Sequence, residues 1–343
     1  MRRWFIYTLS ILMAHCISPY DPKIEADDPK LIVDGLITDL SGPQKVVLSY
    51  SAAYNNNNSV FGRYETHANV IIQDNEGIQT PLYHTRSGIY ESPHDFRGQV
   101  GKSYFIKITL PDGKEYQSTP DELNYVPPID TILGEYQEFS EGFLRGQFNL
   151  FLEFSDSEKK DEFYSFTWSH YKFEKYCSIV RDIQNGVTYV QKCCENCWSF
   201  VRCNGCINLL SDRFINGKKA RVSIANVPYD SKEPYFISIE QRSLTKVAHA
   251  FWTAVDEQIN NAGGVFDRPP VTIRGNVFRI GDEEEQVLGF FGASSVQRKS
   301  VHFDRSKVGK PPFGTPSILT ELPLNCVPCE VGPYRTTQIP AGW

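Results

Sequence analysis

Only one stretch of this chain, residues 243 to 261, carries a helical period. Its apolar residues fall at Leu244, Val247, Ala248, Phe251, Trp252, Val255 and Ile259, which puts them on one stripe of a helix. Ser243 stands where an N-cap is expected, and Gly263-Gly264 stands where a helix stops. Almost everything else alternates apolar and polar residues between close turns, the pattern of short β-strands. The expected fold is therefore mainly β, with the helix packed across a sheet or closing the end of a barrel.

The strands fall into two groups. Leu31–Ile37, Lys45–Tyr50, Ala68–Gln73, Gly88–Glu91, Ser103–Leu110 and Lys114–Ser118 are spaced by turns such as Pro111-Asp112-Gly113. That spacing predicts an immunoglobulin-like β-sandwich over 30–125. Tyr125-Val126-Pro127-Pro128-Ile129-Asp130 then reads as a stiff crossing, because paired prolines hold the backbone extended. A larger β-rich domain is expected over 126–343. It opens with Gly146–Phe154, whose Phe148, Leu150, Leu152 and Phe154 share one face. Strands at Tyr164–Trp168, Ala220–Ile224, Tyr235–Glu240, Val271–Ile280, Val287–Ala293 and Ser300–Asp304 complete it, with a cysteine-rich insertion at 177–206 and the helix at 243–261.

The N-terminus says where such a fold would work. Arg2 and Arg3 precede an apolar run, Trp4 to Ala14, that ends at Cys16. The run is too short to span a bilayer, which takes about 20 residues, and it has the anatomy of an export signal. A cysteine closing it is the acceptor for a lipid in bacterial lipoproteins. Residues 1–16 are thus expected to be a lipoprotein signal with Cys16 lipidated, and the acidic, Pro-containing 17–29 a tether. His15 is larger than the residue usual before that cysteine. A net charge of −6 argues against nucleic acid as a partner.

Setting Cys16 aside leaves Cys177, Cys193, Cys194, Cys197, Cys203, Cys206, Cys326 and Cys329. An even set in an exported chain is expected to form disulfides, whose pairing the sequence leaves open. The alternative for Cys194-x-x-Cys197 and Cys203-x-x-Cys206 is zinc, but the loop between the pairs is short for a zinc ribbon. Cys326-Val327-Pro328-Cys329 has a redox-like spacing without a helix to follow it, so a structural link is expected there.

Little else suggests chemistry. Ser243-Leu244-Thr245-Lys246 fits Ser-x-x-Lys, yet no Lys-Thr-Gly follows. His67, His84, His94, His170, His249 and His302 are scattered without a metal-binding pattern. Asp156, Glu158 and Asp161 surround a turn but lack the spacing of a calcium loop. No catalytic residue, metal or cofactor is expected.

Several strings resemble one family when taken in order. They are the start up to Cys16, Leu31-Ile32-Val33-Asp34-Gly35-Leu36-Ile37-Thr38, Val126-Pro127-Pro128-Ile129-Asp130, Phe266-Asp267-Arg268-Pro269-Pro270 with Gly275-Asn276, and Val287-Leu288-Gly289-Phe290-Phe291. The tail from Cys326 to Trp343 adds to them. Together they are similar to the DUF4249 lipoproteins of Bacteroidota. The resemblance implies an outer-membrane lipoprotein, periplasmic or surface-exposed, working beside a TonB-dependent receptor in nutrient uptake. It carries over no catalytic residue. A carbohydrate-binding or adhesin-like lipoprotein, with Trp168, Trp198 and Trp252 on an exposed face, is the alternative expectation. An envelope enzyme with an unrecognised site is the other.

Overall fold

The computed structural model describes residues 28–52, 63–140, 142, 144–177, 180–182, 187–189, 194–203, 205–232, 234–260, 271–310, 329, 331–340 and 342–343. Cys16, Cys193 and Cys326 lie outside these residues, as do the Phe266–Pro270 string and Gly263-Gly264.

The first unit contains β1 (Leu31–Thr38), β2 (Lys45–Tyr50), β3 (Arg63–Tyr64), β4 (Asn69–Asp74), β5 (Gln79–Arg86), β6 (Ile89–Glu91), β7 (Ser103–Thr109), β8 (Glu115–Ser118) and β9 (Asp121–Glu122). Next come β10 (Ile129–Glu138), β11 (Gly146–Ser155), β12 (Phe163–Cys177), β13 (Val180–Asp182), β14 (Val187–Tyr189), β15 (Cys194–Arg202), β16 (Asn208–Ser211), β17 (Lys219–Pro228) and β18 (Tyr235–Leu244). The helix Lys246–Asn260 follows, and then β19 (Val277–Arg279), β20 (Leu288–Ser294), β21 (Val296–Phe303) and β22 (Arg335–Thr336). The fold is mainly β, with this one helix among the described residues longer than a single 3-10 turn. That helix is not long and apolar enough to cross a membrane.

An eleven-stranded sheet runs β19-β8-β7-β4-β5-β6-β2-β1-β20, with β3 beside β2 and β9 beside β7, and folds over itself around one core. Val33, Val46 and Leu48 from one half meet Val70, Ile72, Ile106 and Ile108 from the other, all buried. The arrangement is compatible with an immunoglobulin-like sandwich. One feature was not expected: β19 and β20 belong to this sheet. β20 pairs parallel with β1, from Ile32 opposite Leu288 to Thr38 opposite Ser294, and β19 pairs with β8. Residues 277–294, assigned by sequence to the second domain, complete the first. A parallel neighbour cannot come from a tight hairpin, so it had to return from far along the chain.

The second unit packs β10-β11-β17 against the six-stranded sheet β21-β18-β12-β15-β22, to which β16 adds beside β12. Phe148, Leu150, Leu152 and Phe154 on β11 are buried as their alternation predicts. The crossing before it is anchored rather than free-standing, since Val126 and Ile129 are buried in this core. The 177–206 stretch is also less of an insertion than expected. β12 runs on to Cys177, and β15 pairs with it from Ser169 opposite Arg202 to Cys177 opposite Cys194.

The helix starts three residues later than its pattern suggested. Ser243 is still in β18, where its N–H donates to the Ser295 carbonyl at 3.1 Å. Thr245 is the cap instead, its hydroxyl accepting from the Ala248 N–H at 3.2 Å. Ala248 is buried, and Phe251 and Trp252 are half-buried, against Leu244, Phe163, Leu209 and Phe290. Val247 and Ile259 on the expected stripe face solvent instead. Since Phe290 comes from the first sheet and the others from the second, the helix sits over the seam.

Candidate functional site

The seam is hydrogen-bonded at every crossing. β20 leads through Ser295 straight into β21, so one continuous segment serves both sheets. Asp39 holds that corner, accepting from the Ser295 hydroxyl at 2.5 Å and the Val296 N–H at 2.9 Å. The Ser243 hydroxyl donates to the Asn124 carbonyl at 2.6 Å and accepts from the Ser295 N–H at 3.0 Å. Asp121 on β9 accepts from the Thr245 hydroxyl at 2.5 Å and the Ala293 N–H at 2.9 Å. Its carboxylate therefore ties the first sheet to the cap of the helix. Burial pushes the Asp121 carboxyl above its ordinary value, and the two bonds pull against that rise.

Beneath the helix these contacts enclose a cavity of about 240 Å³. β1 contributes Asp34 and Leu36, and β20 contributes Phe290, Gly292 and Ser294. Ser165 and Thr167 line it from β12, Arg242 and Leu244 from β18, Asn208 and Leu209 from β16, and Ala248 and Trp252 from the helix. β1 and β12 present these side chains because residues two apart on a strand share a face. Phe251 packs at a tilt on Phe290 at 4.9 Å and meets Trp252 edge-on at 5.2 Å, which fixes the aromatic wall.

The charges in this lining are unequal. Arg242 is committed to Glu240 at 2.8 Å, and Glu240 also receives Arg298. Burial alone would raise the Glu240 carboxyl, but the two guanidiniums hold it below its ordinary value. The Asp34 side chain has no hydrogen bond or ion pair with any described residue. It stays accessible to solvent, yet the protein around it withdraws enough water to raise its carboxyl. The lining thus offers one unpaired carboxylate, hydroxyls and aromatic rings. It is suited to holding a ligand, and no described residue pairs a nucleophile with a base there.

The residues singled out by sequence fall elsewhere, with Cys206 and Trp252 as exceptions. Cys197 and Cys329 form a disulfide with their Cα atoms 5.7 Å apart, joining β15 to the C-terminal segment. Beside it β22 pairs with β15, and Trp343 packs on Phe173, Trp198, Phe236 and His302. Cys203 and Cys206 form the second disulfide, and Cys206 lies on the cavity wall. The backbones of Cys177 and Cys194 are directly opposite each other. Ser243 and Lys246 do not share a helical turn. Asp156 accepts from the Tyr164 hydroxyl at 2.6 Å, while Glu158 and Asp161 face solvent. Among the described residues no three His, Cys, Asp or Glu side chains are grouped to hold a metal. His249 packs on Phe163 at 4.7 Å, outside the cavity lining.

Asp34, Asp121 and Arg242 were missed as site residues. Asp34 did leave a signal, as the one charge inside the apolar string Leu31–Ile37. Asp121 and Arg242 left none, because isolated charges beside strands read as surface.

The sequence model described as "Domain of unknown function (DUF4249)" matches residues 17–300. The chain belongs to the DUF4249 family. Three of the strings that resembled DUF4249 proteins meet around β20. Leu31–Thr38 is β1, and Val287–Phe291 spans the start of β20 beside it. Asn276 clamps that strand, donating to the Phe291 carbonyl at 2.7 Å and accepting its N–H at 2.9 Å. Next to it, any side chain on Gly275 would meet the Gly289 carbonyl oxygen at 1.7 Å, so only glycine fits. No curated protein matches this DUF4249 chain. Among solved structures, the Salmonella alpha-2-macroglobulin reacted with methylamine aligns at 8% identity with a TM-score of 0.19. That alignment covers 68% of this chain and only 15% of the other, and it carries no argument.

Proposed function

We propose that this protein is an outer-membrane lipoprotein, held through Cys16, that binds a small ligand at the seam without catalysis. In this reading it serves as an accessory binding subunit of a TonB-dependent transporter. The observation that carries the binding role is the cavity walled by both sheets and the helix, with Asp34 left unpaired inside it. Two disulfides built into the second unit support an oxidising, extracytoplasmic setting.

The carbohydrate or adhesin reading draws less support. It needs Trp168, Trp198 and Trp252 grouped on an open face, whereas Trp198 is 4% exposed and packed among aromatic rings. Two measurements test the proposal. Cys16→Ser should move the protein from the outer-membrane to the soluble fraction, and unchanged sedimentation would remove the anchor. Crosslinking in intact cells should then attach a barrel receptor to the parent chain. A chain recovered only as a monomer would remove the accessory role.

A further inference from the structure

Resting on the reading of the seam cavity as a ligand site, we infer that its ligand carries a small organic cation, an ammonium or alkylammonium group held by Asp34 against the aromatic wall. Three features of the lining point the same way. The carboxylate of Asp34 is accessible and has no partner among the described residues, so a cation can reach it without displacing a protein group. The one guanidinium in the lining, Arg242, is engaged by Glu240 at 2.8 Å, and therefore does not neutralise Asp34. An anion would enter a cavity whose other carboxylate, Asp121, already spends both oxygens on Thr245 and Ala293. The positive group it would meet among the described lining residues is Arg242, whose charge Glu240 already balances although its buried Nε has no partner.

The remaining wall suits the rest of such a ligand. Trp252 and Phe290 present ring surface, which attracts an alkylammonium through the ring quadrupole while tolerating its methyl groups. Leu36, Leu244 and Ala248 supply apolar contact. A sugar of similar size would need many polar partners. Asn208, the side-chain amide in the lining, already donates to the Ser223 carbonyl at 2.9 Å, and hydroxyls left against leucine and ring carbons lose their water without compensation. A cavity of about 240 Å³ holds a compact molecule rather than an oligomer.

The test uses the full chain and a matched set of probes: choline, tetramethylammonium, the uncharged choline isostere 3,3-dimethylbutan-1-ol, acetate and glucose. Calorimetric titration should show choline binding about ten- to a hundredfold more tightly than its neutral isostere, the range of one charge-assisted contact. Asp34→Asn should abolish that ratio, and because the Asp34 side chain pairs with no described residue the variant should melt no lower than the parent does. Trp252→Leu should weaken choline more than the isostere, because only the charged ligand loses the attraction to the ring quadrupole. Equal binding of the two, a preference for acetate or glucose, or a ratio unaffected by Asp34→Asn overturns the cation while leaving a ligand cavity in place. Absence of binding by every probe overturns the cation and the cavity reading together.

Discussion

The two units hold their sheets together with different side chains. The first core is largely aliphatic, with Val33, Val46, Leu48, Val70, Ile72, Ile106 and Ile108 at or near zero exposure. The second is aromatic and contains a charge. Phe148, Phe154, Tyr164, Phe166, Tyr229 and Tyr235 fill it, and Arg305 is 0% exposed. Many similar contacts share the load in the first unit, so no single one is decisive. In the second a few unique partners matter much more, because a buried charge that loses its mate is left without water or counterion.

Arg305 is where that difference should be largest. Its guanidinium donates to the Pro228 carbonyl at 3.0 Å, to Asp230 at 2.7 Å and to the Ser231 hydroxyl at 2.8 Å, and it lies over the Tyr235 ring. Asp230 also receives Lys172 at 2.6 Å. Burial by itself would raise the Asp230 carboxyl, and the two cations hold it down instead. Arg305→Met should cost about 3–5 kcal/mol in urea unfolding. Ile106→Val in the first core should cost about 1 kcal/mol. Equal losses would erase the distinction between the units.

A smaller effect is expected from the Cys197–Cys329 link, which closes a span of 132 residues. Replacing both cysteines with alanine should lower stability by about 2–4 kcal/mol. The loss should be felt in the second unit, where the C-terminal segment otherwise rests on two register pairs, Trp198 opposite Thr336 and Ser199 opposite Arg335, and on the ring contacts of Trp343. The near-UV circular dichroism of Trp198 and Trp343 reports it directly. A loss of first-unit signal at the same midpoint would mean that the two units unfold as one.

Legibility in the sequence divides along the same line. The first unit was largely readable because one face of each strand is buried, and β2 occupies the residues its pattern marked. β5 escaped notice: seven of its eight side chains are exposed or half-buried, so it has no alternation to read. β10 begins at the end of what reads as a proline crossing and runs on to Glu138. The parallel pairing of β1 with β20 and the burial of Arg305 depend on partners far along the chain, which local pattern does not encode. The cavity belongs to this second kind, since seven elements meet there. Two hydroxyl residues, Ser243 and Thr245, precede the helix, and only the β18 ladder decides between them.

Acid should separate the units next. Burial, reinforced by Lys172 and Arg305 and opposed by Asp230, pushes the His170 imidazole down to about 4. Its Nδ1 lies 2.6 Å from the Tyr235 hydroxyl, and its ring stacks on Trp168. A folded-state value below the unfolded one means that the unfolded chain takes up the proton first as pH falls. Stability from the neutral ring is therefore complete above pH about 6.5 and drains away toward pH about 4, by roughly 2–3 kcal/mol. The buried carboxyls of Asp121 and Asp156 are raised, and so act in the opposite sense. The informative quantity is the difference between the parent and His170→Gln, whose urea midpoints should converge as pH falls. A constant gap from pH 7 to pH 4 would mean that His170 titrates normally.

The least costly change probes the seam that joins the two units. Thr245→Ala removes the cap of the helix, worth about 1 kcal/mol. It also removes one of the two donors to Asp121, leaving a desolvated carboxylate with the Ala293 N–H alone. Because Asp121 belongs to the first sheet and Thr245 to the helix, part of the loss should be a coupling between units. In a double-mutant cycle with Asp121→Asn, that coupling should reach about 0.5–3 kcal/mol, and Thr245→Ser should restore it. Additive losses would reduce Thr245 to an ordinary cap, and the helix would then sit on the seam through its apolar side chains alone.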